Sequence, residues 1–213
     1  MKFDKRTLLL YAVTDRSLSK PDTFLQQLKE SLDSGITMLQ LREKNLDNEQ
    51  FLQEALQVKA LCHRYHVPLI INDNLEVALR SNADGIHVGQ DDMNASEVRK
   101  HIGMDKILGV SAHTVEQAIL AQEQGADYLG VGAIFPTASK KDATAVTLDT
   151  LRSICEAVTI PVVAIGGIEL HTLKQLRHSG IAGVAVISAI YGQPNIISAT
   201  SQLKEAIQKE VIL

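Results

Sequence analysis

Residues 8–16 read Leu8-Leu9-Leu10-Tyr11-Ala12-Val13-Thr14-Asp15-Arg16, an aliphatic run that passes directly into polar residues. The run predicts a buried strand over Leu8 to Thr14, because a short continuous apolar segment bounded by polar residues is typical of parallel sheets. An open dinucleotide-binding sheet would follow this strand with a glycine-rich GxGxxG turn that holds phosphate. Thr14-Asp15-Arg16 stands there instead, which favours a closed barrel over a doubly wound sheet.

The same pattern recurs along the chain, as short aliphatic runs that alternate with longer segments of helical periodicity. The further strands are predicted at Ile36 to Leu41, Pro68 to Ile71, Gly85 to Val88, Ile107 to Val110, Tyr128 to Val131, Pro161 to Ile165 and Gly183 to Ile187. The clearest amphipathic helices are predicted at Thr23 to Ser34, Asn48 to His66, Thr114 to Gln124, Leu148 to Ala157, Leu170 to Ser179 and Ile196 to Glu210. Eight such units in 213 residues predict one α/β domain, a (β/α)8 TIM barrel spanning residues 1–213.

Net charge and cysteine usage exclude several classes of protein. A formal charge of -4 and a pI near 6.0 give no basic surface of the kind that binds nucleic acid or anionic lipid. Cys62 and Cys155 lie far apart without CxxC spacing, which favours reduced thiols over a zinc site or a secreted disulfide framework. We therefore expect a cytoplasmic protein without nucleic-acid or membrane partners. The sequence does not determine the oligomeric state and is compatible with a homo-oligomer.

Polar side chains end the second predicted strand, where the chain reads Gln40-Leu41-Arg42-Glu43-Lys44. Alternation along a strand directs Gln40, Arg42 and Lys44 to one side, and Leu41 and Glu43 to the other. A solvated strand end is the plain alternative, but buried Gln and Arg side chains need partners. Since the carboxyl ends of barrel strands meet at one mouth, these side chains indicate an anion site there.

Carboxylates follow the third and fourth strands, at Asp73 and in the segment His87-Val88-Gly89-Gln90-Asp91-Asp92. Oxygen ligands from adjacent loops suit Mg2+, which keeps several waters and binds substrate phosphate. Capping of the following helices is the alternative role for each carboxylate. His87, between two aliphatic residues, is typical of a packed, hydrogen-bonded core histidine.

The later loops indicate a second anion site. Ser111-Ala112-His113 lacks a GxSxG elbow, so Ser111 is interpreted as a hydrogen-bonding wall. The long loop Phe135 to Asp142 carries hydroxyls and lysines that can hold phosphate, although a polar surface loop is the alternative. Gly166-Gly167 and Ile187-Ser188 end strands seven and eight, where barrels frequently bind phosphate. One metal-equipped and one mainly backbone-lined anion site together suggest two phosphorylated substrates.

These motifs resemble the thiamine phosphate synthase family. The resemblance is carried by residues 11–15, 40–44, 72–73, 87–92, 135–137, 139–140 and 164–168, which run in order from the first strand to the eighth. It implies a transferase that joins a hydroxymethylpyrimidine diphosphate to a thiazole phosphate, plain or carboxylated, with release of pyrophosphate. One departure is Ser139, where the family commonly has a second threonine.

The resemblance also implies the roles of individual residues. It implies that the pyrimidine diphosphate is held by Gln40, Leu41, Arg42, Glu43, Lys44, Asn72, Ser111 and Lys140, among which Arg42, Lys44, Asn72, Ser111 and Lys140 are the expected catalytic residues. It implies that Mg2+ is held by Asp73 and Asp92, and that the thiazole phosphate is held by Thr137, Ala138, Ser139, Gly167, Ile187 and Ser188.

Two other functions stay open at the level of sequence. A thiazole tautomerase would share the barrel and use His113 as an acid or base, but it leaves Asp73, Asp92 and the cations without a purpose. A non-catalytic phosphate-ligand sensor is the other alternative, since a fold does not guarantee activity.

Overall fold

The computed structural model describes residues 3–19, 23–137 and 144–211. Eight parallel strands pair in sequence order, and β8 pairs with β1, which closes the barrel and confirms the predicted fold. The strands are β1 (Leu10–Val13), β2 (Met38–Leu41), β3 (Leu69–Asn72), β4 (Gly85–Val88), β5 (Ile107–Ala112), β6 (Tyr128–Val131), β7 (Val162–Ile165) and β8 (Gly183–Val186).

Helices surround the barrel. They are α1 (Phe24–Asp33), α2 (Asn48–Arg64), α3 (Leu75–Arg80), α4 (Ala95–Ile102), α5 (Val115–Glu123), α6 (Leu148–Ala157), α7 (Ser188–Tyr191) and α8 (Ile196–Glu210). Short 3-10 turns cover Lys5–Leu8, Arg16–Leu18 and Leu173–Leu176. None of the helices in the described part of the chain combines the length and apolarity needed to cross a bilayer.

One predicted helix is wrong. The segment Leu170 to Ser179 forms only the 3-10 turn Leu173–Leu176. The Thr172 hydroxyl donates to the Glu169 carbonyl and accepts from the Glu169 N–H, both at 3.0 Å, so the segment begins as a tight turn. Arg177 leaves the helical region with ψ of 137°, and His178 follows with a positive φ of 59°, so the turn does not continue into a helix.

Side-chain caps determine where most helices begin. The side-chain oxygens that accept from a backbone N–H in the first turn of α2 to α6 and of α8 belong to Asp47, Asn74, Asn94, Thr114, Thr147 and Asn195. Such caps stabilise a helix by about 1 kcal/mol each. Because Asn74 and Asn94 cap α3 and α4, the carboxylates of Asp73 and Asp92 are not needed as caps.

Apolar side chains form two layers. The inner layer fills the barrel with Leu8, Tyr11, Val13, Met38, Ile70, Tyr128, Val163 and Ala185. The outer layer packs the other faces of the strands against the helices, with Leu39, Leu41, Ile71 and Ile86 fully buried. The two layers follow from strand alternation, which sends successive side chains to opposite faces.

Polar residues hold the amino ends of three even-numbered strands. Thr37, Asp84 and Asp127 directly precede β2, β4 and β6, and each accepts the backbone N–H of a residue on the preceding strand at 2.8 to 2.9 Å. Asp127 also accepts from the nearly buried Arg99 guanidinium at 2.6 Å. This end of the barrel is therefore fixed by satisfied polar contacts.

We expect Asp127→Ala to lower the free energy of unfolding by roughly 2–3 kcal/mol, because it leaves the Leu108 N–H without its acceptor and removes the carboxylate that pairs with the nearly buried Arg99 guanidinium. Urea unfolding followed by circular dichroism measures the change. The matched control is Asp149→Ala, which removes an exposed pair with Arg152 and should cost less than about 1 kcal/mol. Equal losses in the two variants would contradict this role of Asp127.

Candidate active site

A cavity of about 310 Å³ opens at the carboxyl ends of the strands. Its wall contains, from the predicted set, Gln40, Arg42, Lys44, Asn72, Asp73, Asp92, Ser111, Thr137, Gly167, Ile187 and Ser188. A wider cavity of about 630 Å³ lies at the other end of the barrel, near Pro161 and Gln208, and none of the predicted residues lines it. The candidate chemistry is therefore at the mouth.

The end of β2 divides its side chains between the cavity and the barrel exterior, as alternation predicts. Gln40, Arg42 and Lys44 line the cavity. Leu41 is fully buried in the outer apolar layer. Glu43 accepts from Arg16 at 3.1 Å and its side chain is 1% exposed. The side chains of Leu41 and Glu43 are thus turned away, and only their backbone groups can reach a ligand in the cavity.

Arg42 is positioned through its backbone. The Arg42 N–H donates to the Thr14 hydroxyl at 2.8 Å, and the Thr14 N–H donates to the Gln40 carbonyl at 3.0 Å. Within residues 3–19, 23–137 and 144–211, neither Arg42 nor Lys44 has a salt-bridge partner. Two unpaired cations at a concave surface favour binding of an anion.

Asp73 and Asp92 meet at the rim of the cavity. Partial burial, and then the adjacent Asp92 carboxylate, raise the pKa of Asp73 to about 7. Asp73 has a positive φ of 61°, and its carboxylate accepts from the Asn72 side-chain amide. Asp92 accepts from the Gly89 N–H at 2.7 Å. Two facing carboxylates destabilise each other without a cation.

This pair fits a magnesium ion better than a metal held wholly by protein. No group of three or more His, Cys, Asp or Glu side chains suited to a metal occurs among the described residues. Mg2+ characteristically uses one or two carboxylates and takes its remaining oxygens from water and substrate phosphate. Burial and the adjacent Asp92 carboxylate raise the pKa of Asp73, and a bound cation would offset the repulsion between the two carboxylates.

A chain of hydrogen bonds crosses the barrel beneath the cavity. Gln40 Nε2 lies 2.7 Å from the Tyr11 hydroxyl, which lies 2.8 Å from the Tyr128 hydroxyl. The Tyr128 hydroxyl lies 3.0 Å from His87 Nδ1, and His87 Nε2 lies 3.0 Å from Ser111 Oγ. We call these five residues the interior chain. It joins Gln40 on β2 to Ser111 on β5.

The sequence analysis did not assign three members of the interior chain, Tyr11, His87 and Tyr128, to the site. His87 was expected to be a packed, hydrogen-bonded core histidine; it is one, and it also lines the cavity. Burial lowers its pKa to about 4. Tyr11 and Tyr128 are fully buried, and a tyrosine inside a strand needs a partner for its hydroxyl. A tyrosine within a predicted buried strand therefore indicates a buried hydrogen bond, but the sequence does not show which residue of another strand is its partner.

The opposite wall of the cavity is largely backbone. Gly167 has a positive φ of 61°, and an added Cβ would lie 2.4 Å from the Pro136 carbonyl oxygen, so the loop after β6 packs directly on it. Ser188 is the first residue of α7, where backbone N–H groups lack acceptors within the helix. Thr137 and Ile187 complete this side. Ala138, Ser139 and Lys140 lie outside the described residues.

His113 also lines the cavity, and its backbone N–H donates to Gln117 Oε1 at 2.8 Å. The structure thus places the candidate acid-base residue of the tautomerase alternative at the mouth, together with the cations and carboxylates that this alternative does not use.

The chain is similar in sequence and fold to several known proteins. The chain is 50% identical over 194 residues to the thiamine-phosphate synthase of Clostridium tetani, covering 91% of this chain and 93% of that protein. It is 51% identical over 199 residues to the thiamine-phosphate synthase of Alkaliphilus oremlandii, covering 93% and 95%. The thiamine phosphate pyrophosphorylase from Pyrococcus furiosus superposes with a TM-score of 0.88 at 34% identity, covering 96% and 98%.

A geranylgeranylglyceryl phosphate synthase from Thermoplasma acidophilum, with a TM-score of 0.70 at 18% identity, shares the fold alone. Residues 10–190 match the family model described as thiamine monophosphate synthase, which is most of the chain. The chain therefore belongs to the thiamine monophosphate synthase family.

Proposed function

We propose that the cavity makes thiamine phosphate from an aminopyrimidine methyl diphosphate and a thiazole phosphate. The observation that carries this proposal is the placement of Arg42 and Lys44, unpaired among the described residues, beside the carboxylates of Asp73 and Asp92. Cations and a metal-binding carboxylate pair at one wall suit a diphosphate leaving group. Relatives at about 50% identity that are named thiamine-phosphate synthase support the same reaction.

The reaction exchanges one bond for another at the pyrimidine methylene carbon. The carbon–oxygen bond to diphosphate breaks, pyrophosphate leaves with the electron pair, and the thiazole nitrogen donates its lone pair to form the carbon–nitrogen bond. We favour a path in which the carbon–oxygen bond breaks first, because the ring amino group can stabilise the resulting cation. No protein nucleophile is required, which agrees with the absence of a GxSxG elbow around Ser111.

The protein's contribution is then electrostatic and positional. Arg42 and Lys44 stabilise the charge that develops on the departing pyrophosphate. Gln40, Asn72 and Ser111 orient the pyrimidine ring, while Gly167, Ile187, Ser188 and Thr137 hold the thiazole phosphate. Mg2+, when bound at Asp73 and Asp92, supplies further positive charge against the diphosphate. We assign Lys140 and residues 137–139 to the same two substrates on the strength of the family motif.

We place this reaction in the cytoplasm. Cys62 and Cys155 are both unpaired, and burial raises the pKa of the Cys62 thiol to about 12, so that this thiol stays protonated and inert. A protein with unpaired cysteines suits a reducing compartment.

The activity is tested by incubating the purified chain with both substrates, in Mg2+ or in excess EDTA, and following pyrophosphate and thiamine phosphate together. We expect equimolar release of the two products with Mg2+ and none with EDTA. Equal release in both arms would contradict the metal requirement. Release in neither arm would contradict the synthase, and turnover of the thiazole phosphate alone would favour a tautomerase that uses His113.

Arg42→Gln should lower kcat by about 100-fold or more, because it removes a fixed cation from the charge that develops in the transition state. The KM for thiazole phosphate should change little, since Arg42 lies on the other wall. The control is Arg80→Gln, which removes the same charge from the exposed surface of α3. If kcat stayed within twofold of the wild type, Arg42 would have no role in expelling pyrophosphate.

Asp92→Asn should change both metal response and pH dependence of stability. Asp73 has a raised pKa in the folded state, about 7 against 3.8, so without metal the wild type loses stability as pH rises between those values. Removing the Asp92 charge should reduce that loss, while the part caused by burial of Asp73 remains, and should abolish stabilisation by Mg2+ at pH 8, measured by thermal unfolding. Asp91→Asn is the matched control. A variant that still gained stability from Mg2+ would rule out Asp92 as a ligand.

A further inference from the structure

We propose that all hydrogen bonds of the interior chain donate in one direction, from Gln40 toward Ser111; we call this direction its polarity. It leaves Gln40 as an acceptor and Ser111 as a donor toward the pyrimidine. The site thereby selects an aminopyrimidine over its oxo counterpart. The inference deepens the proposed function and rests on it for the identity of the substrate. The polarity itself is a property of the protein alone. It follows from counting protons along Gln40, Tyr11, Tyr128, His87 and Ser111.

The count begins at Gln40, whose amide nitrogen can only donate. Gln40 Nε2 lies 2.7 Å from the Tyr11 hydroxyl, so the Tyr11 oxygen accepts there. Tyr11 has a single hydroxyl proton, and its other partner is the Tyr128 hydroxyl at 2.8 Å. Tyr11 therefore donates to Tyr128.

The remaining hydrogen bonds run in the same direction as far as Ser111. Tyr128 accepts from Tyr11 and donates its own proton to His87 Nδ1 at 3.0 Å, so Nδ1 carries no hydrogen. The ring proton of His87 is then on Nε2, which donates to Ser111 Oγ at 3.0 Å. Because Ser111 Oγ accepts from His87, its own proton is available to a ligand in the cavity.

The two ends of the interior chain thus present opposite groups. Both Gln40 and Ser111 line the cavity, and Gln40 Oε1 has no hydrogen-bond partner among the residues described. An aminopyrimidine offers an amino donor to Gln40 Oε1 and a ring-nitrogen acceptor to the Ser111 hydroxyl. An oxo analogue offers a carbonyl acceptor in place of the amino donor. It would place that carbonyl oxygen against Gln40 Oε1, and such mismatches discriminate strongly in buried sites.

The backbone is shaped to hold the interior chain. A Cβ added at Gly109 on β5 would lie 2.2 Å from the Tyr128 ring and 2.5 Å from His87 Nδ1. A Cβ added at Gly130 on β6 would lie 3.0 Å from His87 Cε1. Two glycines therefore leave room for polar rings where apolar side chains would fill the barrel without needing partners. A requirement for packing alone does not explain this choice of residues.

The polarity is tested directly by 15N NMR of the protein labelled at histidine, without substrate, at pH 7. The His87 resonances are assigned from their loss in His87→Asn. We expect a neutral ring with its proton on Nε2. A proton on Nδ1 would mean that the hydrogen bonds run in reverse, with Tyr11 donating to Gln40 Oε1 and the Gln40 amide N–H facing the ligand. That result would overturn the proposal, as would a doubly protonated ring. This measurement does not depend on catalytic activity.

The selectivity is tested with Tyr128→Phe, which removes the central hydroxyl and leaves His87 free to adopt either tautomer. The ratio of kcat/KM for the amino over the oxo pyrimidine diphosphate should fall about 10-fold or more. Tyr191→Phe is the matched control, because it deletes another buried hydroxyl, which bonds to Ser31 Oγ at 3.1 Å and is not part of the cavity wall. It should leave the ratio unchanged.

The outcomes distinguish failure of the proposed function from failure of the selectivity role. If the wild type makes no thiamine phosphate, the proposed function fails while the NMR result still tests the polarity. If the wild type is active and Tyr128→Phe keeps the full amino preference, the selectivity role is overturned. If Tyr128→Phe does not fold whereas Tyr191→Phe does, the proposal is decided by the His87 tautomer in the wild type, with a proton on Nε2 supporting it and a proton on Nδ1 overturning it.

Discussion

Pairing between β1 and β8 closes the sheet, and the site depends on that closure. Leu10, Tyr11 and Ala12 lie opposite Val184, Ala185 and Val186, so the first and last strands share one register. Closure brings eight strand ends around a single mouth, where Arg42, Asp73, Ser111 and Ser188 meet although they are far apart in sequence. An open sheet would leave the β2 and β8 walls of the cavity on separate sides.

The two ends of the barrel divide stability and function between them. At the amino end, Thr37, Asp84 and Asp127 satisfy backbone N–H groups of neighbouring strands. At the carboxyl end, Arg42 and Lys44 lack salt-bridge partners among the described residues, and the Asp73 carboxylate is held beside Asp92. The two facing carboxylates cost stability until a cation neutralises them. The satisfied end of the barrel offsets that cost.

Local patterns were enough to predict the strands and the direction of their side chains. The alternation at residues 40–44 placed Gln40, Arg42 and Lys44 toward the mouth, because parity depends only on neighbouring residues. The helix expected at Leu170 to Ser179 failed because Thr172 and His178 favour turns, a local preference that amphipathic spacing does not reveal. The salt bridge between Glu43 and Arg16 could not be predicted from the sequence either, since it depends on how the loop after β1 crosses the end of β2.

The interior chain could not be read from the sequence, because each of its bonds joins different strands. Tyr11 and Tyr128 are 117 residues apart, and only barrel closure brings their hydroxyls to 2.8 Å. The inner layer of the barrel therefore does more than fill volume. It joins Gln40 on one side of the mouth to Ser111 on the other, so that the orientation of one polar group fixes that of the other. The same closure that stabilises the fold thereby sets the chemistry that the cavity presents.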